Sequence, residues 1–380
     1  MPRGMRREDR RVVAVLGFLH GVVHSNILSI PVFLLAWKAE FGADDVTLGL
    51  LAAAGYGFYG VAAVPFGFLA DRRAPARLLL VCAAGIAISM AGVAASPSIP
   101  LVAVSLGALG LFSGVYHPTG LSIISRVVVE QGRGMGWHGM GGSLGIASGP
   151  AYVGAALAVG LSWRLAAASL AVPALLAGIL LVAQPLPAEA SHRPAEARVP
   201  LRGLLTRSYG FILLVYMFAG FAYQGGLTFL PQPRFIGARF FALALALGAV
   251  GQVVSGTLAD RRQAGRLLFA LSAATGAILL SLAFLPGGSP FIAAALVFGF
   301  LLFSLEPLQN TLVTREVPRA LRGMAFGFTF LSVFGVGSLG AVLAGWLLAH
   351  DAGATLFIVL SACIAASGTF ALGVRRRSAS

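Results

Sequence analysis

Charge is what this sequence has least of. Of its 380 residues only 11% are Asp, Glu, Lys or Arg, and only 13 are acidic. A chain so poor in charge cannot clothe a soluble globular surface, which excludes the soluble classes. Cysteine is nearly missing too. Cys82 and Cys363 each sit inside an apolar run with no metal-type spacing, so two lone thiols are expected. No small-residue cleavage site follows the basic start, and the apolar stretch from Val12 to Trp37 reads as a first membrane helix, not a signal peptide. Period-two alternation is absent, which excludes a membrane β-barrel. There is no nucleotide-binding loop, metal triad, or Ser/Lys or paired-Asp constellation. Neither an enzyme nor a cofactor is therefore expected.

Apolar sequence is what is present. Hydrophobic residues make up 58%, and the mean hydropathy is +0.89, as in polytopic membrane proteins. Twelve apolar segments can be marked, at 12–37, 46–70, 78–96, 100–125, 134–159, 163–183, 208–231, 235–259, 267–286, 290–314, 323–348 and 353–374. Each is long enough to cross a hydrocarbon core of about 30 Å at about 1.5 Å per residue. The net charge of +14 then reports topology, not nucleic-acid binding, because basic residues gather in cytoplasmic loops. With the N-terminus inside, all of the 27 Lys and Arg fall in inner segments except Lys38, Arg164, Arg234 and Arg239. Both termini are thus expected in the cytoplasm and the protein in the cell (inner) membrane.

The chain is duplicated. Residues 67–77 read Gly-Phe-Leu-Ala-Asp-Arg-Arg-Ala-Pro-Ala-Arg, and residues 256–266 read Gly-Thr-Leu-Ala-Asp-Arg-Arg-Gln-Ala-Gly-Arg. Gly67, Asp71, Arg72 and Arg77 recur 189 residues later as Gly256, Asp260, Arg261 and Arg266. The shift also carries His117-Pro118 onto Glu306-Pro307 and Arg126 onto Arg315. Two six-helix bundles are expected, over 1–183 and 208–380. They are joined by a proline-rich cytoplasmic linker at 184–207, with a short amphipathic helix near Leu201 to Leu205. An external loop is expected over residues 38–45. Pro231-Gln232-Pro233 replaces it in the second half, which predicts a tight hairpin of the seventh and eighth spans.

Asp71 and Asp260 end helices at their C-termini, where the helix dipole disfavours an acid. Arg126 and Arg315, at the ends of the fourth and tenth spans, are natural partners in a cytoplasmic gate. The duplicated motif, the twelve spans and the two halves resemble the major facilitator superfamily, with departures at Ala74, Gln263, Ala76 and Gly265. The resemblance implies an all-α, major-facilitator-type fold and secondary active transport by alternating access, with this loop motif closing the cytoplasmic side. The bland alternative is that the arginines are simple positive-inside anchors.

Gly141, Gly145 and Gly149 fall four apart on one face of the fifth span, which permits close helix approach, and Pro150 can bend it. With Gly136 and Gly154 this spacing resembles the superfamily's antiporter motif, which favours export. Polar groups inside the membrane are site candidates by default. Glu306 is the one carboxylate far from a membrane end, and His117 holds the same depth in the first half. His20 and His24 share a face of the first helix, and Asn26, Tyr223, Gln224, Gln309 and Asn310 complete the lining. His138 reads as a structural histidine. Two imidazoles alone do not make a metal site, and none is expected. The stretches Gly114-Val-Tyr-His117-Pro118 and His20 to Pro31, with Arg133, Gly142 and Gly149-Pro150, resemble the fosmidomycin-resistance branch of proton-driven drug exporters. Gly110 stands where such exporters often have an arginine, which passes the proton role to His117, His24 or Glu306. The expected partners are a small organic solute, protons and lipid, and the expected state a monomer. The alternatives are a proton-coupled importer of a sugar, organic acid or other nutrient, and a non-transporting membrane sensor.

Overall fold

The computed structural model describes residues 5–70, 75–129, 131–187, 201–259, 264–318 and 321–374. Among these residues there are helices and no strand. In the first half they are α1 (Arg7–Phe41), α2 (Asp45–Ala70), α3 (Pro75–Ala95), α4 (Ile99–Ser113), α5 (Tyr116–Val127), α6 (Gln131–Ala158) and α7 (Trp163–Ala183). The second half holds α8 (Arg207–Phe229), α9 (Gly237–Ala259), α10 (Ala264–Leu282), α11 (Ser289–Glu316), α12 (Arg322–Phe330), α13 (Leu339–Ala349) and α14 (Gly353–Leu372). Eleven stretches are long and apolar enough to span a bilayer, α4 with α5 and α12 with α13 each counting as one. The twelfth apolar segment is α6, 28 residues long, whose glycines dilute its hydropathy. Large apolar side chains such as Ile88, Val104, Val159 and Phe284 point outward, as a lipid-facing surface requires.

The duplication is visible in the helix ends. Ala70 and Ala259 end α2 and α9, Pro75 and Ala264 begin α3 and α10, and Val127 and Glu316 end α5 and α11, each pair 189 residues apart. Packing repeats as well: α1 lies on α6 as α8 lies on α13, α2 on α4 as α9 on α11, and α3 on α7 as α10 on α14. Gly67 packs on Pro118, and its copy Gly256 packs on Pro307. The halves meet along α2 against α12 and α13, and along α6 against α9.

Several expectations are corrected. The loop over residues 38–45 is mostly helix: α1 runs to Phe41 and stops only where Gly42 takes a left-handed φ of 63°. Asp44 then caps α2 by accepting the Thr47 N–H at 2.8 Å, and the Thr47 contacts hold its carboxyl below the usual carboxylate range. The seventh and eighth spans are not a packed hairpin. Residues 230–236 form a run of turns, after which α8 lies on α13 and α14 while α9 lies on α11 and α6. The fourth span breaks at Gly114–Val115, where Pro118 cannot donate to the Gly114 carbonyl. The eleventh span is interrupted by a π-helical turn, Leu331–Val336, a feature frequent at functional sites. Near Leu201 to Leu205 the chain makes one 3-10 turn, Leu201–Leu204.

The small-residue face of α6 does what its spacing requires. A methyl on Gly141 would strike the Gly17 carbonyl, one on Gly145 that of Gly21, and one on Gly149 that of Ser25. Gly154 faces Ala238 of the other half. Gly136 is the exception. Open space surrounds its Cβ position, so it takes no part in packing.

Candidate functional site

Two polar clusters face each other across the middle of the bundle. The first belongs to α1, α5 and α6. His20 and His24, one turn apart on α1, meet through their Nε2 atoms at 3.0 Å. His20 Nδ1 lies 3.0 Å from the His138 carbonyl, so it carries the proton and donates. Gly142 makes room for this ring, since a methyl there would overlap the imidazole. Tyr116 donates its hydroxyl to the Leu16 carbonyl at 2.5 Å and accepts from His138 Nε2 at 2.8 Å. His138 thus joins the cluster through its carbonyl and its Nε2. His117, placed by the break between α4 and α5, packs edge-on to His20 at 4.9 Å and to His24 at 5.3 Å between centroids. The sequence offered two imidazoles on one helix face, and the fold adds a third.

The second cluster belongs to α8, α9 and α11. Glu306, within α11, keeps an exposed side chain. Gln252 Nε2 donates to Glu306 Oε2 at 2.7 Å. Gln252 Oε1 in turn accepts from Ser143 of the first half at 2.9 Å. Tyr216 donates to Asn310 Oδ1 at 2.8 Å, one turn along from Glu306.

His117 and Glu306, expected at one depth, are joined through an aromatic wall and not by direct contact. Tyr59 of α2 stands 6.0 Å from His117 and 4.7 Å from Phe334. Phe330 stacks near His117 at 4.6 Å, and Tyr223 lies 5.4 Å from Phe303 and 6.2 Å from Phe334. The π-helical turn presents Phe334 to this wall, beside Gly335. There α2 comes so near that a methyl on Gly60 would strike the Gly335 amide.

Of the remaining candidates, Asn26 turns back to donate to its own helix at the Val22 carbonyl, 2.8 Å away. Asn26 Oδ1, Gln224 Nε2 and Gln309 Nε2 are buried without a protein partner. In the expected gate, Asp71, Arg72, Asp260 and Arg261 lie outside the described residues. Arg77 and Arg266 fall in the first turns of α3 and α10, and Arg126 and Arg315 in the last turns of α5 and α11.

Sequence reasoning missed a third group, on the side opposite the termini. Asp45, at the start of α2, is held by Lys38 at 2.7 Å and by Arg234 of the second half at 2.6 Å. Gln232 donates from Nε2 to the same carboxylate at 3.2 Å and accepts at Oε1 from Arg234 Nε at 2.7 Å. Lys38 and Arg234 are two of the four cations that break the positive-inside pattern, and that was the available signal. Tyr59 and Tyr116 gave no signal, since a tyrosine in an apolar helix reads as packing. Gln252, an amide inside an apolar run, could have been found.

The family model of the Major Facilitator Superfamily matches residues 13–342. The structure is similar to a bacterial homolog of the human lysosomal transporter Spinster, in an inward-facing and unoccupied conformation. The TM-score is 0.72 at 16% identity, over 98% of this chain and 96% of that one. It is also similar to the nucleoside transporter NupG, with a TM-score of 0.75 at 14% identity, over 97% of this chain and 100% of the other. At these identities the likeness is one of fold. No curated protein matches the chain in sequence.

Proposed function

The chain belongs to the major facilitator superfamily, and on that premise we propose a secondary transporter that exports a small organic solute against proton entry by alternating access. The observation that carries this reading is Glu306. It is an exposed acid within a spanning helix, bonded to Gln252, which Ser143 of the other half holds in turn; in this reading it lines the cavity between the halves. A carboxylate so placed can take a proton when the cavity is dry and release it when the cavity opens to water. The histidine cluster across the aromatic wall, His117 and His24 included, supplies further proton-accepting groups. The close α1–α6 packing at Gly141, Gly145 and Gly149 supports export through its likeness to the antiporter spacing.

In this reading the two bundles, 1–183 and 208–380, rock about the central site. The motifs at 67–77 and 256–266, with Arg126 and Arg315, close the cytoplasmic side, and Asp45 with Arg234 closes the other. The termini lie in the cytoplasm, the protein acts as a monomer in the cell membrane, and the solute is drug-like, as in the fosmidomycin-resistance branch.

The test uses everted membrane vesicles with an imposed pH gradient and a panel of solutes that includes fosmidomycin. A solute that dissipates the gradient through the wild type, but not through Glu306→Gln, supports proton-coupled export. Gradient-driven accumulation unchanged in Glu306→Gln removes Glu306 as the carrier. Solute exchange without any gradient dependence removes proton coupling altogether.

A further inference from the structure

We propose that His20, His24 and His117 form a binding site for a borderline divalent metal ion, of the Zn²⁺ or Co²⁺ class, inside the first half and beside the aromatic wall. The three side chains offer ligand nitrogens that all lie within 4.8 Å of one another. In a tetrahedral site with metal–nitrogen bonds of about 2.0–2.1 Å, ligand atoms sit about 3.4 Å apart. His20 and His24 already approach to 3.0 Å through Nε2, with His24 Nε2–H donating; an ion between them requires that proton to shift to His24 Nδ1 and the His117 ring to rotate toward the pair.

Three features of the surroundings suit a ligand set better than a packed core. His20 donates from Nδ1 to the His138 carbonyl, which fixes its tautomer and leaves the Nε2 lone pair aimed at its two neighbours. This is the outer-shell arrangement that orients metal-binding imidazoles. His138 is itself held by Tyr116, so the support is rigid. His117 Nε2 is buried with no hydrogen-bond partner among the described residues, and His117 is only 7% exposed. A buried ring nitrogen left unpaired is costly. Gly142, finally, clears the volume that the His20 ring occupies.

The donor set decides the class of ion. Three imidazoles with neither thiolate nor carboxylate suit Zn²⁺, Co²⁺, Ni²⁺ and Cu²⁺, and disfavour Mg²⁺ and Ca²⁺, which want oxygen. All three ligands belong to the first half, on α1 and α5, so the site persists when the halves move. His117 borders Phe330 and Tyr59, so the site abuts the aromatic wall shared with the second half. The inference depends on neither the direction of transport nor proton coupling.

The experiment uses the full chain, purified in detergent without a histidine tag and titrated with Co²⁺. The expected result is one ion per chain with the intense visible absorption of four-coordinate cobalt. His117→Gln and His24→Gln should each weaken binding by about a hundredfold or more, given that even an outer-shell loss costs about 10–100-fold. His350→Gln, at an exposed histidine, should change nothing. Thermal unfolding without metal checks that each variant is folded. The wild-type spectrum is decisive by itself if a variant fails that check. No stoichiometric binding, or only the weak absorption of six-coordinate cobalt, overturns the site, and so does equal affinity in folded His117→Gln.

Discussion

Asp45→Asn should open the side of the protein opposite the termini. The substitution keeps the shape of the side chain and removes the charge that joins Lys38 and Arg234 across the two halves. Its magnitude can be bracketed from exposure. Asp45 is only 7% exposed, whereas Lys38 and Arg234 are 45% and 41% exposed. Breaking a fully buried pair costs about 3–5 kcal/mol and losing an exposed one about 0–1 kcal/mol. A carboxylate buried against half-exposed cations lies between, at about 1–2 kcal/mol. That shifts the ratio of closed to open states by roughly 5–30-fold. Spin labels at Pro97 and Pro286, exposed and equivalent by the repeat, report the separation of the halves on that side. The long-distance population should grow in Asp45→Asn. Arg234→Gln should act in the same direction, and the double variant should fall short of the sum because the residues share one contact. An unchanged distance distribution, or strict additivity, would refute the lock.

Glu306→Gln should leave solute binding intact and abolish accumulation driven by a pH gradient, measured as flux in proteoliposomes at several imposed gradients. Gly145→Ala should destabilise the protein by about 1–3 kcal/mol, because its methyl meets the Gly21 carbonyl; thermal unfolding in detergent reads this directly, and Gly136→Ala, with open space around it, should be close to neutral. Cysteine at Ser98 should be labelled from outside the cell and cysteine at Leu205 only from inside, and the reverse pattern would invert the topology.

How much of this was legible depends on the range of the interaction. The spans were readable because a bilayer demands about twenty apolar residues in succession, and the two halves because whole motifs recur at a constant shift. The four-residue glycine spacing carried the α1–α6 contact, since helical geometry fixes what lies on one face. Gly136 lies outside that register and packs on nothing. The interruptions were harder. Pro118 hinted at the break after Ser113, but the π-helical turn at 331–336 packs against Gly60, 270 or more residues earlier in the chain, a contact no local pattern announces. Residues 38–45 looked polar enough for a loop, yet polar residues continue a helix readily once it leaves the hydrocarbon.

The central site shows most sharply why residue lists fall short of geometry. His117 and Glu306 are repeat equivalents, and repeat symmetry alone predicts matching roles at matching depth. The fold breaks that symmetry through their neighbours. His117 meets two histidines supplied by α1, whereas Glu306 meets Gln252 of α9. Between them stand Tyr59 from one half and Phe330 and Phe334 from the other. A rotation of one half against the other must therefore separate this wall before it disturbs either polar cluster, since each cluster is bonded mainly within its own bundle. The Ser143–Gln252 bond is the exception, because it ties α6 of the first half to the amide that holds Glu306. Any motion that parts α6 from α9 pulls on that amide, so the surroundings of the carboxylate depend on the position of the halves. A proton site whose affinity follows conformation is what coupling requires, and Ser143→Ala should loosen that dependence while leaving Glu306 itself in place.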